Sequence, residues 1–195
     1  MPRVSEAHLA ARRRQILDAA ARCFVRNGFH QTSMQDVIKE AELSVGAFYR
    51  YFKSKNELIT AIAGEKISQA TGLLDALLAL DPMPPIPEIL ERLLELVDAA
   101  ADHDGTVRIA VQVWGEAVHD PEVGALVTQI YGRVRDRAVL IAERARAAGR
   151  LPPDADVTGA GAAFFGLVQG YILQKVLLGG TDRHTYVSGV RTLLS

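Results

Sequence analysis

The sequence predicts an all-α protein of about nine helices. Apolar residues recur at spacings of three and four along most of the 195-residue chain. Ser, Asp and Pro stand ahead of these periodic runs, and Gly or Pro follows them, which is where helix starts and stops belong. The sequence contains no strand-like alternation, no internal repeat and no low-complexity tract. Ala, Leu, Arg and Glu, all good helix formers, are abundant.

Taken in order, residues 12–27 form the first expected helix, with Ile16, Leu17, Ala20, Ala21 and Phe24 on one stripe and Asn27-Gly28 as its stop. Ser33-x-x-Asp36 is a capping signal opening a short helix over 33–41, with Met34, Val37, Ile38 and Ala41 inward. Glu42-Leu43 is a turn. Ser44 caps a second short helix over 44–52, in which Phe48 and Phe52 point inward. Ser54-x-x-Glu57 opens a long helix with Leu58, Ile59 and Ile62 inside, running to residue 80. The proline-rich 81–87 stretch ends it, because proline has no N–H to donate. Further helices are expected over 88–102, over 106–119 after an Asp104-Gly105 turn, and over 120–148. Asp156 opens a helix over 156–178 that Gly179-Gly180 ends. Asp182 caps a last one carrying Val187, Val190 and Leu194.

Charge is distributed unevenly. Residues 1–56 hold ten basic and five acidic residues, leaving twelve of the 22 basic and eighteen of the 23 acidic residues for the remainder. A basic end on an acidic body fits a polyanion partner for the first segment, or simply a solvated basic face. The single cysteine, Cys23, excludes an internal disulfide and points to packing in a reducing cytoplasm. The first fifteen residues lack the apolar core of a signal peptide. Residues 157–174 carry no charge, but Thr158, Gln169, Gln174 and four glycines favour a helix buried in protein over one spanning a membrane.

Two short helices joined by a tight turn, 33–41 and 44–52, have the helix-turn-helix layout. If Phe48 and Phe52 bury, then Val45, Gly46, Ala47, Tyr49 and Arg50 face outward, toward a major groove. Arg50 can donate two bonds to guanine O6 and N7. Tyr49 and Tyr51 can reach phosphates through their hydroxyls, or can be partial core. Lys55 sits in the first turn of the next helix, whose free amides attract a phosphate. Arg12-Arg13-Arg14 reads equally as a phosphate-binding arm or as solvated surface.

The stretch from Gly28 to Leu58, with Thr32-Ser33, Val37-Ile38, Ala41, Gly46, Phe48-Tyr49, Tyr51-Phe52 and Ser54-Lys55, resembles the signature of the tetracycline-repressor (TetR) family, the likeness covering roughly residues 10–62. By that resemblance Ser33, Gln35, Ser44, Val45, Gly46, Ala47, Tyr49, Arg50, Tyr51 and Lys55 inherit DNA contact. Glu42 stands where the family often has a turn glycine, Arg50 where histidine is common and Lys53 where proline is common. These departures bar the transfer of a known operator sequence.

The resemblance implies a helix-turn-helix DNA-binding domain over 1–56 and a helical ligand-sensing and dimerisation domain over 57–195. Family members dimerise through their last two long helices. Gly159, Gly166, Gly170, Tyr171, Val187 and Val190 are the expected interface residues. Gln112, Trp114, Glu116, His119, Tyr131, Phe165 and Gln169 are the expected ligand-pocket residues. Glu116-x-x-His119 has the spacing of a di-iron carboxylate bundle, but such a site needs a second copy and none occurs. No nucleophile elbow, phosphate-binding glycine loop or zinc spacing is present. The expectation is a cytoplasmic homodimer, not an enzyme. It uses no cofactor or metal, and its partners are a double-stranded DNA operator and a small-molecule effector, with no membrane. It is expected to act as a repressor that a small, largely apolar molecule releases from a near-palindromic operator.

Overall fold

A computed structural model describes residues 6–102, 105–179 and 181–193. Asp104, Gly180 and Leu194 lie outside the described residues. Those described form nine α-helices and no strand: α1 (Glu6–Asn27), α2 (Met34–Glu40), α3 (Val45–Phe48), α4 (Lys55–Leu78), α5 (Ile86–Asp102), α6 (Thr106–Ala117), α7 (Pro121–Ala147), α8 (Val157–Leu173) and α9 (Arg183–Leu193). A π-helical turn, Gln174–Leu178, continues α8.

Most boundaries follow the expected capping chemistry. Gly28, at φ 82°, takes the left-handed conformation that ends α1. The Ser33 hydroxyl accepts from the Asp36 amide at 3.2 Å while the Asp36 carboxylate accepts from the Ser33 amide at 2.8 Å, a reciprocal box that starts α2. Asp120 caps α7 through the amides of Glu122 and Val123. Asp156 caps α8 through Thr158 and Gly159. Asp182 caps α9 through Thr185. Three boundaries differ from expectation. α1 begins six residues earlier, so Arg12, Arg13 and Arg14 lie inside the helix and not in its first turn. The α-helical part of the 44–52 segment is only Val45–Phe48, and Tyr49–Tyr51 follow as turn. Pro87 lies inside the first turn of α5, where its missing N–H would have had no helical acceptor.

The chain divides into two compact units, Met1–Glu65 with Asp104–Leu126, and Lys66–His103 with Val127–Ser195. In the first, Ile16, Ala20, Phe24, Val37, Phe48 and Leu58 are wholly buried. In the second, Leu74, Ile89, Leu90, Leu94, Ile141 and Tyr171 are wholly buried in one apolar cluster. Gly161 allows α8 to lie against α7: a Cβ there would come within 2.8 Å of the Val139 backbone nitrogen.

One stretch among the described residues, Val157–Leu178, is long and apolar enough to cross a membrane by length and composition, and 28% of its apolar 18-residue window is buried. Burial on most sides was the expectation. In the single chain eight of its 22 residues are exposed, Leu173, Leu177 and Leu178 among them, and ten more are half-buried.

Candidate nucleic-acid interface

The helix-turn-helix segment is built from the inside out. Phe48 and Phe52 are buried at 0% and 4% exposure and set the inner face of α3 and the turn after it. The Ser44 hydroxyl accepts from the Ala47 amide at 3.3 Å and fixes the first turn of α3. Between α2 and α3 the chain turns through Glu42 at φ 54°. Leu43 N–H reaches Ile38 O at 3.3 Å and Glu42 N–H reaches Lys39 O at 3.1 Å, the paired bonds of a Schellman stop. The turn therefore keeps the left-handed geometry that a glycine favours, with a glutamate in it. The Gln15 amide donates to Ala41 O at 2.8 Å and ties this turn to α1.

Of the residues expected at DNA, Ser33, Gln35, Ser44, Val45, Gly46 and Arg50 are exposed, whereas Ala47, Tyr49, Tyr51 and Lys55 are half-buried. The Arg50 guanidinium has no hydrogen bond or ion pair among the described residues. Tyr49 packs edge-on against Phe48, with centroids 5.8 Å apart, and remains partly open. The Ser33 hydroxyl also donates to Asp36 at 2.7 Å. The two Ser33 bonds hold the Asp36 carboxyl below the ordinary carboxylate range. The Lys55 ammonium is directed inward: it donates to Phe29 O at 2.9 Å and His30 O at 3.3 Å, and lies 4.7 Å from the Phe29 ring centre.

Sequence reasoning missed how the loop before α2 is held. Gln112 and Glu116, one turn apart on α6, meet that loop from the other side. Gln112 accepts from the Phe29 amide at 2.8 Å, and Glu116 lies 2.7 Å from His30 Nε2. The only signal in the sequence was the i,i+4 spacing of the pair. Arg13 is also committed, 5.4 Å from the Phe52 ring centre and 3.4 Å from Glu65. A cleft of about 580 Å³ opens beside these groups, lined by Arg13, Tyr51, Asn56, Glu122 and Leu126 among others, and by none of the expected pocket residues.

The seven expected pocket residues do not share one unit. Gln112, Trp114, Glu116 and His119 fall in the first, and Tyr131, Phe165 and Gln169 in the second. His119 is exposed and Glu116 is committed to His30, so the Glu-x-x-His pair builds no common site. Tyr131 and Phe165 do meet, with ring centroids 5.6 Å apart. Among the expected interface residues, Gly159 and Gly166 are exposed. Tyr171, Val187 and Val190 are buried at 0%, 2% and 6% within their own unit and offer almost no surface to a second copy. Gly170 faces inward, where a Cβ would stand 3.2 Å from the Tyr186 hydroxyl.

A polar cluster in the second unit joins α5 to the end of α8 and to α9. Asp98 accepts from the Tyr171 hydroxyl and the Lys175 ammonium, both at 2.6 Å, and Arg183 bridges Asp98 and Glu95. Burial, and then the hydrogen bond to Asp98, push the Tyr171 phenol well above its ordinary pKa.

Comparison with known proteins gives two family matches. Residues 16–62 match the model for bacterial regulatory proteins of the tetR family, and residues 88–195 match the C-terminal model for BetI-type transcriptional repressors. The chain is similar to the HTH-type transcriptional repressor Rv1474c of Mycobacterium tuberculosis, 46% identical over 65 residues, which is 33% of this chain and 35% of that protein. It is also similar to the HTH-type transcriptional regulator UidR of Escherichia coli, 28% identical over 73% of this chain and 70% of that protein. Among solved structures, Salmonella enterica GusR superposes with a TM-score of 0.78 at 24% identity, covering 99% of this chain and 97% of that one. FadR from Bacillus subtilis in complex with stearoyl-CoA gives 0.78 at 21% identity, covering 93% and 96%. A regulator from Saccharomonospora viridis in complex with choline gives 0.74 at 22% identity, covering 95% and 96%.

Proposed function

Because this chain belongs to the tetracycline-repressor family, a family of transcriptional regulators and not of enzymes, we propose that it binds a specific operator through its helix-turn-helix and that a small molecule controls that binding. Residues 1–56 act as the DNA-binding domain and residues 57–195 as the sensing and dimerisation domain. The observation that carries this reading is the open face of the α3 segment: Val45, Gly46 and Arg50 are exposed above a buried Phe48, and Arg50 has no partner among the described residues. Ser33, Gln35, Ser44, Ala47, Tyr49 and Tyr51 surround that face and contact the duplex. Lys55 acts one step back, by holding the carbonyls of Phe29 and His30.

The protein works in the cytoplasm as a homodimer. Its two recognition helices reach major grooves roughly 34–36 Å apart on a near-palindromic operator. The exposed stripe along α8 and its π-helical continuation supports this, since Gly159, Gly166, Leu173 and Leu177 are exposed along it. Repression is the sign of regulation, in keeping with the repressor model that the C-terminal half matches. The effector is small and largely apolar, with Tyr131, Phe165 and Gln169 contributing to its site. The solved relatives carry ligands as different as stearoyl-CoA and choline, so the shared fold does not select between them. An effector that prefers one of two conformations needs a coupling of only about 1–3 kcal/mol to switch DNA affinity 5- to 150-fold.

Selection of bound duplexes from a random pool, followed by titration at several salt concentrations, tests the proposal. A two-fold symmetric consensus and a steep loss of affinity with salt are expected. Failure to enrich any sequence would refute it.

A further inference from the structure

The four residues of α3 are Val45, Gly46, Ala47 and Phe48, and none carries a side-chain hydrogen-bond donor or acceptor. The residue before them, Ser44, has its hydroxyl engaged by the Ala47 amide. Phe48 is buried at 0% exposure. At Gly46 no atom outside its chain neighbours and the backbone of its own helix lies within 4 Å of where a Cβ would stand. Val45 is 50% exposed and is the one large hydrophobic side chain exposed between residues 28 and 62. The side chains of the helix therefore present an open, apolar leading end, although it belongs to the element that reads DNA.

Base edges in the major groove offer hydrogen-bond donors and acceptors and a single kind of apolar group, the C5-methyl of thymine. An apolar side chain at that depth gains free energy only by covering such a methyl. Over any other base edge it would strip water from polar atoms without replacing their bonds. We infer that Val45 is a specificity determinant, and that each operator half-site carries a thymine whose C5-methyl packs on its side chain. This rests on the DNA-binding reading above and adds to it a base identity that Arg50 does not supply. The half-site is then read by two unlike contacts, a charged one to guanine from Arg50 and an apolar one to thymine from Val45.

The test uses the full-length protein and the duplex obtained by selection. Each thymine of the half-site is replaced in turn by deoxyuridine, which deletes only the methyl, and affinity is measured by fluorescence anisotropy for the parent and for Val45→Ala. One thymine per half-site is expected to matter, its replacement weakening parent binding about fourfold for each methyl lost. In Val45→Ala the same replacement is expected to have no effect, and selection with the variant is expected to lose the thymine at that position. Val45 is exposed, so an unchanged melting curve for Val45→Ala serves as the folding control. Deoxyuridine that is tolerated everywhere, or that weakens parent and variant equally, overturns the inference while leaving sequence-specific binding intact. Absence of any selected consensus overturns the DNA-binding reading itself, and this inference with it.

Discussion

Glu42 holds a left-handed backbone conformation at φ 54° in the turn that sets α3 against α2. A residue with a Cβ is strained there by about 1–2 kcal/mol, yet the Schellman bonds hold it in place. Glu42→Gly should therefore raise stability by about 1 kcal/mol, shifting Tm upward by about 2–4 °C in a chain of this length. Calorimetry checks this, and an unchanged or lower Tm contradicts the strain. Arg50 poses the complementary case, a side chain that contributes little to the fold and whose value lies outside it. Arg50→Ala should leave Tm unchanged and cost about 1–3 kcal/mol of specific binding, with relaxed preference at one guanine per half-site. Equal affinity of parent and variant for the selected operator would remove Arg50 from the interface.

At the scale of elements, the Asp98 cluster joins α5, the end of α8 and α9 through one carboxylate. Asp98, Lys175 and Arg183 have side chains about one-fifth exposed, at 21%, 24% and 19%. Asp98→Ala takes the shared acceptor from Lys175, Arg183 and the Tyr171 hydroxyl. Chemical denaturation should show a loss of about 2–3 kcal/mol, below the full cost of breaking a buried pair because water still reaches the ions. Tyr171 adds a pH dependence with a definite sign. Its pKa is raised above 10.0 in the folded chain, so the phenol keeps its proton after the unfolded chain has lost it. That contribution is complete below the unfolded value and is lost as pH rises beyond about 10. Tyr171→Phe should flatten the fall in Tm above about pH 10 relative to the parent. Parallel curves for the two proteins would show that Tyr171 does not drive it.

The whole molecule raises the question of what covers α8. Leu173, Leu177 and Leu178 are exposed on this apolar helix and its π-helical end, and large apolar side chains grouped in that way are costly to leave in water. Leu177 is 65% exposed, so its loss should leave the fold of the single chain largely untouched. Leu177→Arg should shift the protein toward monomer in light scattering. Operator affinity should fall with it, since one helix-turn-helix binds weakly without its twin. A variant that remains dimeric at low micromolar concentration places the interface elsewhere.

The class, the number and order of the helices, and the capping residues Ser33, Ser44, Ser54 and Asp182 were all legible in the sequence. These depend on contacts between residues no more than four apart, and spacing alone specifies those. The inward turn of Phe48 and Phe52, and hence the open Arg50, followed from the same periodicity. Only tertiary structure decided that Lys55 serves Phe29 and His30, that Gln112 and Glu116 hold the loop before α2, and that Tyr171, Val187 and Val190 pack within their own unit. Those outcomes depend on neighbours far along the chain, 83 positions for Phe29 to Gln112 and 73 for Asp98 to Tyr171. A side chain's type gives its possible partners, but only the packing of distant helices selects which of them lies within reach.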